Sequence, residues 1–121
     1  MSSKKTLVIG ASPKTERYSY KAATKLQSYG HEVIALGLRE GKIGSIDIIT
    51  EKKSIENLHS VTLYVSAKNQ GSYIDYLFSL QPKRVIFNPG TENPELYPLL
   101  ASKGIEWEEA CTLVMLSIGN Y

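Results

Sequence analysis

The stretch Thr6-Leu7-Val8-Ile9-Gly10-Ala11-Ser12-Pro13-Lys14-Thr15-Glu16-Arg17-Tyr18-Ser19-Tyr20 limits the choice of fold more than any other part of the chain. Thr6–Ile9 is a short β-branched and apolar run, the pattern of a fully buried strand. Gly10 breaks the run, and a loop of small residues carrying Lys14 and Arg17 follows. A helical pattern then begins: Tyr18, Ala22, Leu26 and Tyr29 recur at spacings of 4, 4 and 3, which places them on one helix face. Ser19 is a candidate N-cap or first-turn residue. Gly30 stands where helices end, and His31–Leu36 is a second apolar run. Strand, helix and strand at this spacing form a βαβ unit, with parallel strands and a right-handed crossover. A glycine turn between a strand and a helix N-terminus also offers backbone N–H groups and the positive end of a helix dipole to an anion.

The alternation continues. Gly37–Ser45 holds Gly37, Gly41 and Gly44 with Arg39, Glu40 and Lys42, and is expected as a loop. Ile46–Thr50 reads as a third strand nearer an edge, and Lys52–Leu58 as a short helical turn. Val61–Val65 is the clearest strand, and Gly71–Ser79 reads as a helix with Ile74, Leu77 and Phe78 on one face, stopped by Pro82. Arg84–Phe87 is another buried strand, closed by the turn Asn88-Pro89-Gly90-Thr91. Asn93 is placed to cap a helix that has Pro94 at its first position and runs to about Lys103, where Gly104 stops it. Ile105–Glu108 reads as a last short strand and Thr112–Ile118 as a terminal helix or turn. Strands alternating with helices predict an α/β fold: a doubly wound, mainly parallel sheet with helices on both faces, in three αβα layers. Ligands of such sheets sit at the carboxyl ends of the strands. The loops Gly10–Arg17, Ser66–Asn69 and Asn88–Asn93 all leave from those ends.

Composition narrows the function classes. A chain of 121 residues, 42% hydrophobic and 21% charged, is expected to form one domain over residues 1–121. The net charge of +2, and eight tyrosines without basic interleaving, argue against a nucleic-acid surface. Cys111 is the lone cysteine, so neither an intramolecular disulfide nor a cysteine zinc site can form. Met1-Ser2-Ser3-Lys4-Lys5 shows no signal peptide. No apolar run approaches the ~18 residues that a membrane span needs. The expectation is a cytoplasmic protein without membrane or nucleic-acid partners.

The candidate chemistry is sparse. Gly10-Ala11-Ser12-Pro13-Lys14-Thr15 is not the G-x-G-x-x-G dinucleotide fingerprint, and no Walker A sequence occurs. Small residues, the Ser12 and Ser19 hydroxyls, Lys14 and Arg17 still suit a phosphate; an ordinary strand-to-helix turn with solvated cations remains the other reading. Arg39 follows the second strand, where α/β domains meet a nucleotide ribose, but it equally suits plain surface. The Asn88–Asn93 turn is either a second anion site or simply a capped connection. Cys111 has only His31 and His59 as imidazole partners, and both precede strands, at the end of the sheet away from the loops. A buried free thiol is the plainer reading. Glu106, Glu108 and Glu109 read as a solvated acidic turn, and Trp107 as a packed strand residue.

Several stretches together resemble one family. Val8-Ile9-Gly10-Ala11-Ser12 with Arg17-Tyr18-Ser19-Tyr20-Lys21-Ala22-Ala23, Gly30-His31-Glu32-Val33-Ile34, Gly41-Lys42-Ile43-Gly44, Asn88-Pro89-Gly90-Thr91-Glu92-Asn93-Pro94-Glu95, Gly104-Ile105 and Glu109-Ala110-Cys111 resemble the small stand-alone CoA-binding domains. These are similar to the Rossmann-like N-terminal domain of the succinyl-CoA synthetase α-subunit. Many members carry a basic, proline-containing loop after the fourth strand, where this chain has Ser66-Ala67-Lys68-Asn69. The resemblance covers nearly the whole chain and implies coenzyme A or an acyl-CoA as ligand. It implies that the Gly10, Ala11 and Ser12 backbone and Ser19, beside Tyr18, hold the pyrophosphate, with Lys14 and Arg17 balancing its charge. Arg39 would lie near the adenosine 3′-phosphate; Ala67, Lys68 and Asn69 would line the adenine or ribose; Pro89 and Gly90 would face the pantetheine arm. The expectation is a non-catalytic binding, sensing or carrier module, as a homodimer or with a partner enzyme. The alternatives are a small enzyme using NAD(P) or the Cys111 thiol in the same cleft, and a structural interaction domain without ligand.

Overall fold

The computed structural model describes residues 3–121; Met1 and Ser2, the start of the stretch read as lacking a signal peptide, lie outside the described residues. In chain order the elements are β1 Thr6–Ile9, α1 Tyr18–Ser28, β2 Val33–Leu36, β3 Gly41–Ile43, β4 Ile46–Ile49, β5 Ser60–Leu63, α2 Ile74–Leu80, β6 Arg84–Phe87, α3 Tyr97–Ser102, β7 Glu106–Glu109 and α4 Thr112–Ser117. Short 3-10 turns at Ala67–Asn69 and Gly71–Tyr73 precede α2. The seven strands form one sheet in the order β3-β4-β2-β1-β5-β6-β7. All pairs are parallel except β3 with β4.

Strand alternation sends successive side chains to opposite faces, and both faces are apolar. Leu7, Ile9, Val61, Leu63, Val85 and Phe87 point to one face, where Tyr76, Leu77 and Leu80 of α2 and Tyr97 and Leu100 of α3 cover them. Val8, Ala35, Ile48 and Ile86 point to the other, under Ala23 and Leu26 of α1 and Met115 and Leu116 of α4. This is the three-layer, doubly wound arrangement expected from the alternation. Burying a side chain such as Phe87 (0% exposed) contributes about 2–3 kcal/mol. α1 ends at Ser28 with Tyr29 as its C-cap, after which the Gly30 and His31 N–H groups return to Gln27 O and Leu26 O.

Three local expectations are corrected. Residues 37–45 are not all loop: Gly41–Ile43 forms an edge strand that pairs antiparallel with β4, Ile43 facing Ile46. Gly44 and Ser45 make the two-residue connection of this hairpin, a length such hairpins favour. Lys52–Leu58 contains no helical turn; the segment runs from β4 to β5 without a regular element. The helix expected from Asn93 begins later, at Tyr97, with Leu96 as N-cap, so Asn93 does not cap it.

Candidate functional site

Six parallel strands put their carboxyl ends on one edge of the sheet. The order reverses at β1, which has β2 on one side and β5 on the other. The crevice outside the carboxyl ends at such a switch point is where open α/β sheets take ligands. Parallel pairing brings Gly10–Arg17, Arg39, Ala67–Asn69 and Pro89–Gly90 to this same edge, although they are far apart in sequence.

Gly10 occupies the end of β1 with φ +92, and a Cβ there would come within 2.8 Å of Tyr64 O, so only glycine lets β1 turn against the end of β5. The N–H groups of Gly10 and Ala11 both donate to Leu36 O, at 3.0 and 2.9 Å. These two amides therefore belong to the sheet and are not presented to the crevice. Gly37, which sequence reasoning passed over, is as restrictive: its Cβ would lie 2.3 Å from Ala11 O. Pro13 packs against Gly41 in the same way. The loop after β1 thus leans on the glycines of the segment Gly37–Gly41, which places Arg39 beside it.

α1 starts without a side-chain cap. Arg17 is the N-cap and makes no capping hydrogen bond, and the first turn has no acidic residue. The leading N–H groups of a helix lack partners within it. Lys14, Arg17 and Tyr18 are exposed around this end, whereas Ser19 is 4% exposed. Ser12 Oγ accepts the Lys14 N–H at 3.2 Å, which fixes the loop just before the helix. Unsatisfied amides, a positive dipole end and two solvated cations can together hold an anion.

The other strand-to-helix turn is different. Gly90 N–H donates to Glu92 Oε1 at 2.9 Å, Thr91 N–H to Asn88 O at 2.9 Å, and Asn93 N–H to Tyr97 Oη at 3.2 Å. Three of its N–H donors are taken up by the protein itself and no helix starts at Asn93, so the turn lacks the helix N-terminus that the first loop has. Below the turn lies a buried polar cluster. Asn88 Nδ2 donates to Thr62 Oγ1 (2.6 Å) and Leu63 O (2.9 Å), while its Oδ1 accepts the Thr112 N–H (2.9 Å). Thr62 and Thr112 hydroxyls meet at 2.8 Å. Burial pushes the neighbouring Tyr64 phenol up to about 12, so Tyr64 contributes a neutral hydroxyl and no charge.

Cys111 is the half-buried N-cap of α4, beyond the end of β7. His31 Nδ1 accepts the Lys4 N–H and His59 Nδ1 bonds Ser60 Oγ, so both imidazoles sit at the amino ends, away from the thiol. Trp107 stacks on Tyr97 with centroids 3.8 Å apart but stays 39% exposed at the edge strand, so it is less packed than its alternation suggested. Glu109 accepts a hydrogen bond from Tyr97 Oη at 2.7 Å. Two shallow surface hollows lie elsewhere, along the sheet edges: about 440 Å³ beside Gly41, Lys42 and Asp47, and about 500 Å³ beside Arg84, Ile105 and Trp107. The first reaches the carboxyl end of β4 at Ile49 and Thr50 and touches Glu40, next to Arg39; neither is lined by Gly10–Arg17, Ala67–Asn69 or Pro89–Gly90. Among the described residues no helix is long and apolar enough to cross a membrane.

Comparison with known proteins agrees with the architecture. A crystal structure of an uncharacterized protein is 51% identical, with each chain covered over 100% of its length and a TM-score of 0.97. A hypothetical protein from Pyrococcus horikoshii OT3 is 21% identical over 96% of this chain and 83% of its own, with a TM-score of 0.86, a likeness of fold. The dinucleotide forming acetyl-coenzyme A synthetase 1 of Ca. Korarchaeum cryptofilum, in complex with phosphate and ADP, contains the same fold at 15% identity and a TM-score of 0.73. That match covers 88% of this chain but 26% of the synthetase. No curated protein matches the sequence. The CoA binding domain family matches residues 4–117, and with the doubly wound sheet this places the chain in that family.

Proposed function

We propose that residues 1–121 act as one domain that binds coenzyme A or an acyl-CoA as a non-catalytic binding, sensing or carrier module. The observation that carries this reading is the uncapped start of α1 at the switch point, with no acidic residue in its first turn and Lys14 and Arg17 exposed beside it. The pyrophosphate sits against the Ser12 backbone, Ser19 and the leading amides of α1 beside Tyr18. Gly10 and Ala11 shape the approach and do not donate, because their N–H groups are held by Leu36 O. Arg39 lies toward the adenosine 3′-phosphate, Ala67, Lys68 and Asn69 line the adenine or ribose, and Pro89 and Gly90 face the pantetheine arm, which needs no charge. Against a thiol enzyme stands the lack of a base: both described histidines are at the opposite end from Cys111.

Ligand-dependent melting tests the reading. A ligand that binds only the folded chain stabilises it by about 2.7 kcal/mol at a hundred times its Kd, so saturating CoA is expected to raise the Tm by several degrees and NAD(P) to leave it unchanged. No shift with millimolar CoA, or a larger shift with NAD(P), overturns the reading.

A further inference from the structure

Resting on the CoA reading above, we propose that Gln70 is a positioning residue that ties the two far walls of the cleft together, so that the segments after β5 and β6 meet a ligand as one unit. Gln70 is 1% exposed, yet it is neither charged nor part of a regular strand or α-helix. Its side-chain amide reaches three places. Nε2 donates to Val65 O at 2.8 Å and to Thr91 O at 2.7 Å, and Oε1 accepts from Asn93 Nδ2 at 3.0 Å. Its backbone is committed as well: Gln70 N–H closes on Ala67 O at 3.1 Å and Gln70 O accepts the Tyr73 N–H at 2.9 Å.

These bonds join exposed rims to a buried frame. Lys68, Asn69, Pro89 and Gly90 face solvent, while Gln70, Thr91 and Asn88 behind them are buried. Thr91 Oγ1 donates to Asn88 O at 2.8 Å, and Asn88 is anchored on Thr62 and Leu63 of β5. The path from the Ala67–Asn69 turn to the Pro89–Gly90 turn is therefore continuous through hydrogen bonds shielded from water, where such networks are stiff and an unpaired member is costly. Only an amide of glutamine's length supplies two donors and an acceptor here. Glutamate lacks the donors and methionine lacks all three groups. A contact made to one wall is thereby felt by the other.

The test is hydrogen exchange with two probes, CoA and adenosine 3′,5′-bisphosphate, a fragment without the pantetheine arm. In the wild-type protein the bisphosphate is expected to slow exchange of amides in residues 66–70 and also in 90–93, which it does not reach. In Gln70→Met its protection becomes confined to 66–70, and the Kd for CoA rises about tenfold. Asn93→Ala, which removes one bond and keeps the frame if Gln70→Met does not fold, reduces the remote protection severalfold. Remote protection that is absent in the wild type, or intact in Asn93→Ala and Gln70→Met, overturns the coupling while leaving the CoA reading in place. Failure of both probes to bind the wild type overturns the CoA reading and the coupling with it.

Discussion

The amino ends of the strands and their carboxyl ends both gather basic side chains, and the two sets differ in what they hold. At the amino ends, Lys4 Nζ donates to Tyr121 O, Lys5 Nζ to Glu56 O at 2.8 Å, and Arg84 Nε to Ser60 Oγ at 2.6 Å. The Arg84 guanidinium lies 4.4 Å from the centre of the Tyr121 ring, and His31 packs on the same ring at 5.0 Å. At the carboxyl ends, Lys14, Arg17, Arg39 and Lys68 are exposed, and among the described residues none of their side chains has a hydrogen-bond or ion-pair partner. Charge density alone does not mark a ligand site. At one end Lys4, Lys5 and Arg84 are consumed by the fold; at the other Lys14, Arg17, Arg39 and Lys68 remain available, next to a helix start that is also unsatisfied.

The largest effect that can break this contrast is on stability. Replacing Arg84 with Met removes a charged hydrogen bond and the stacking on Tyr121, and is expected to cost about 2 kcal/mol in urea unfolding. CoA affinity should stay the same. A stable variant, or one that folds but loses CoA, would erase the distinction between the two ends.

A smaller effect is on pH dependence. His31 is held below its ordinary value by burial and then by Lys4 and Arg84; His59 by burial and then by Arg84, Lys4 and Lys83. As pH falls through the ordinary histidine range near 6.5, the unfolded chain takes up protons that the folded chain refuses. Stability is therefore whole above that range and declines below it. Urea midpoints between pH 8 and pH 5 are expected to drop, and His59→Gln to make the drop shallower. An unchanged midpoint, or an unchanged slope in His59→Gln, contradicts the placing of His31 and His59 among the buried cations of the amino ends.

Much of this was legible in the residues because it depends on local pattern. Thr6–Ile9, Gly10 and the spacing of Ala22 and Leu26 gave the first βαβ unit, and the alternation after it gave the sheet. The β3 strand escaped because Gly41 and Gly44 look like loop residues. Its pairing depends on cross-strand partners, among them Lys42 with Asp47 at 3.3 Å, and no single-strand pattern reports these. The two turns leading to helices looked alike, each small and polar. What separates them is the reach of Glu92 back to Gly90 N–H and the later start of α3, both matters of geometry. Gln70 left no signal, since its partners Thr91 and Asn93 lie more than twenty residues away. A glycine next to a strand end, like Gly37, is the one missed feature that the sequence did display.

The most direct measurement is a CoA titration followed by backbone amide NMR, in the wild type and in a Lys14→Ala/Arg17→Ala variant. The expected shifts centre on Ser12 and Tyr18–Tyr20, extend to 66–69 and 90, and spare Lys4, His31, His59 and Arg84. The variant should keep its wild-type spectrum without ligand and bind CoA about tenfold more weakly, a loss of about 1.4 kcal/mol. Shifts centred on the amino ends, or equal affinity in the variant, would contradict a ligand site at the start of α1.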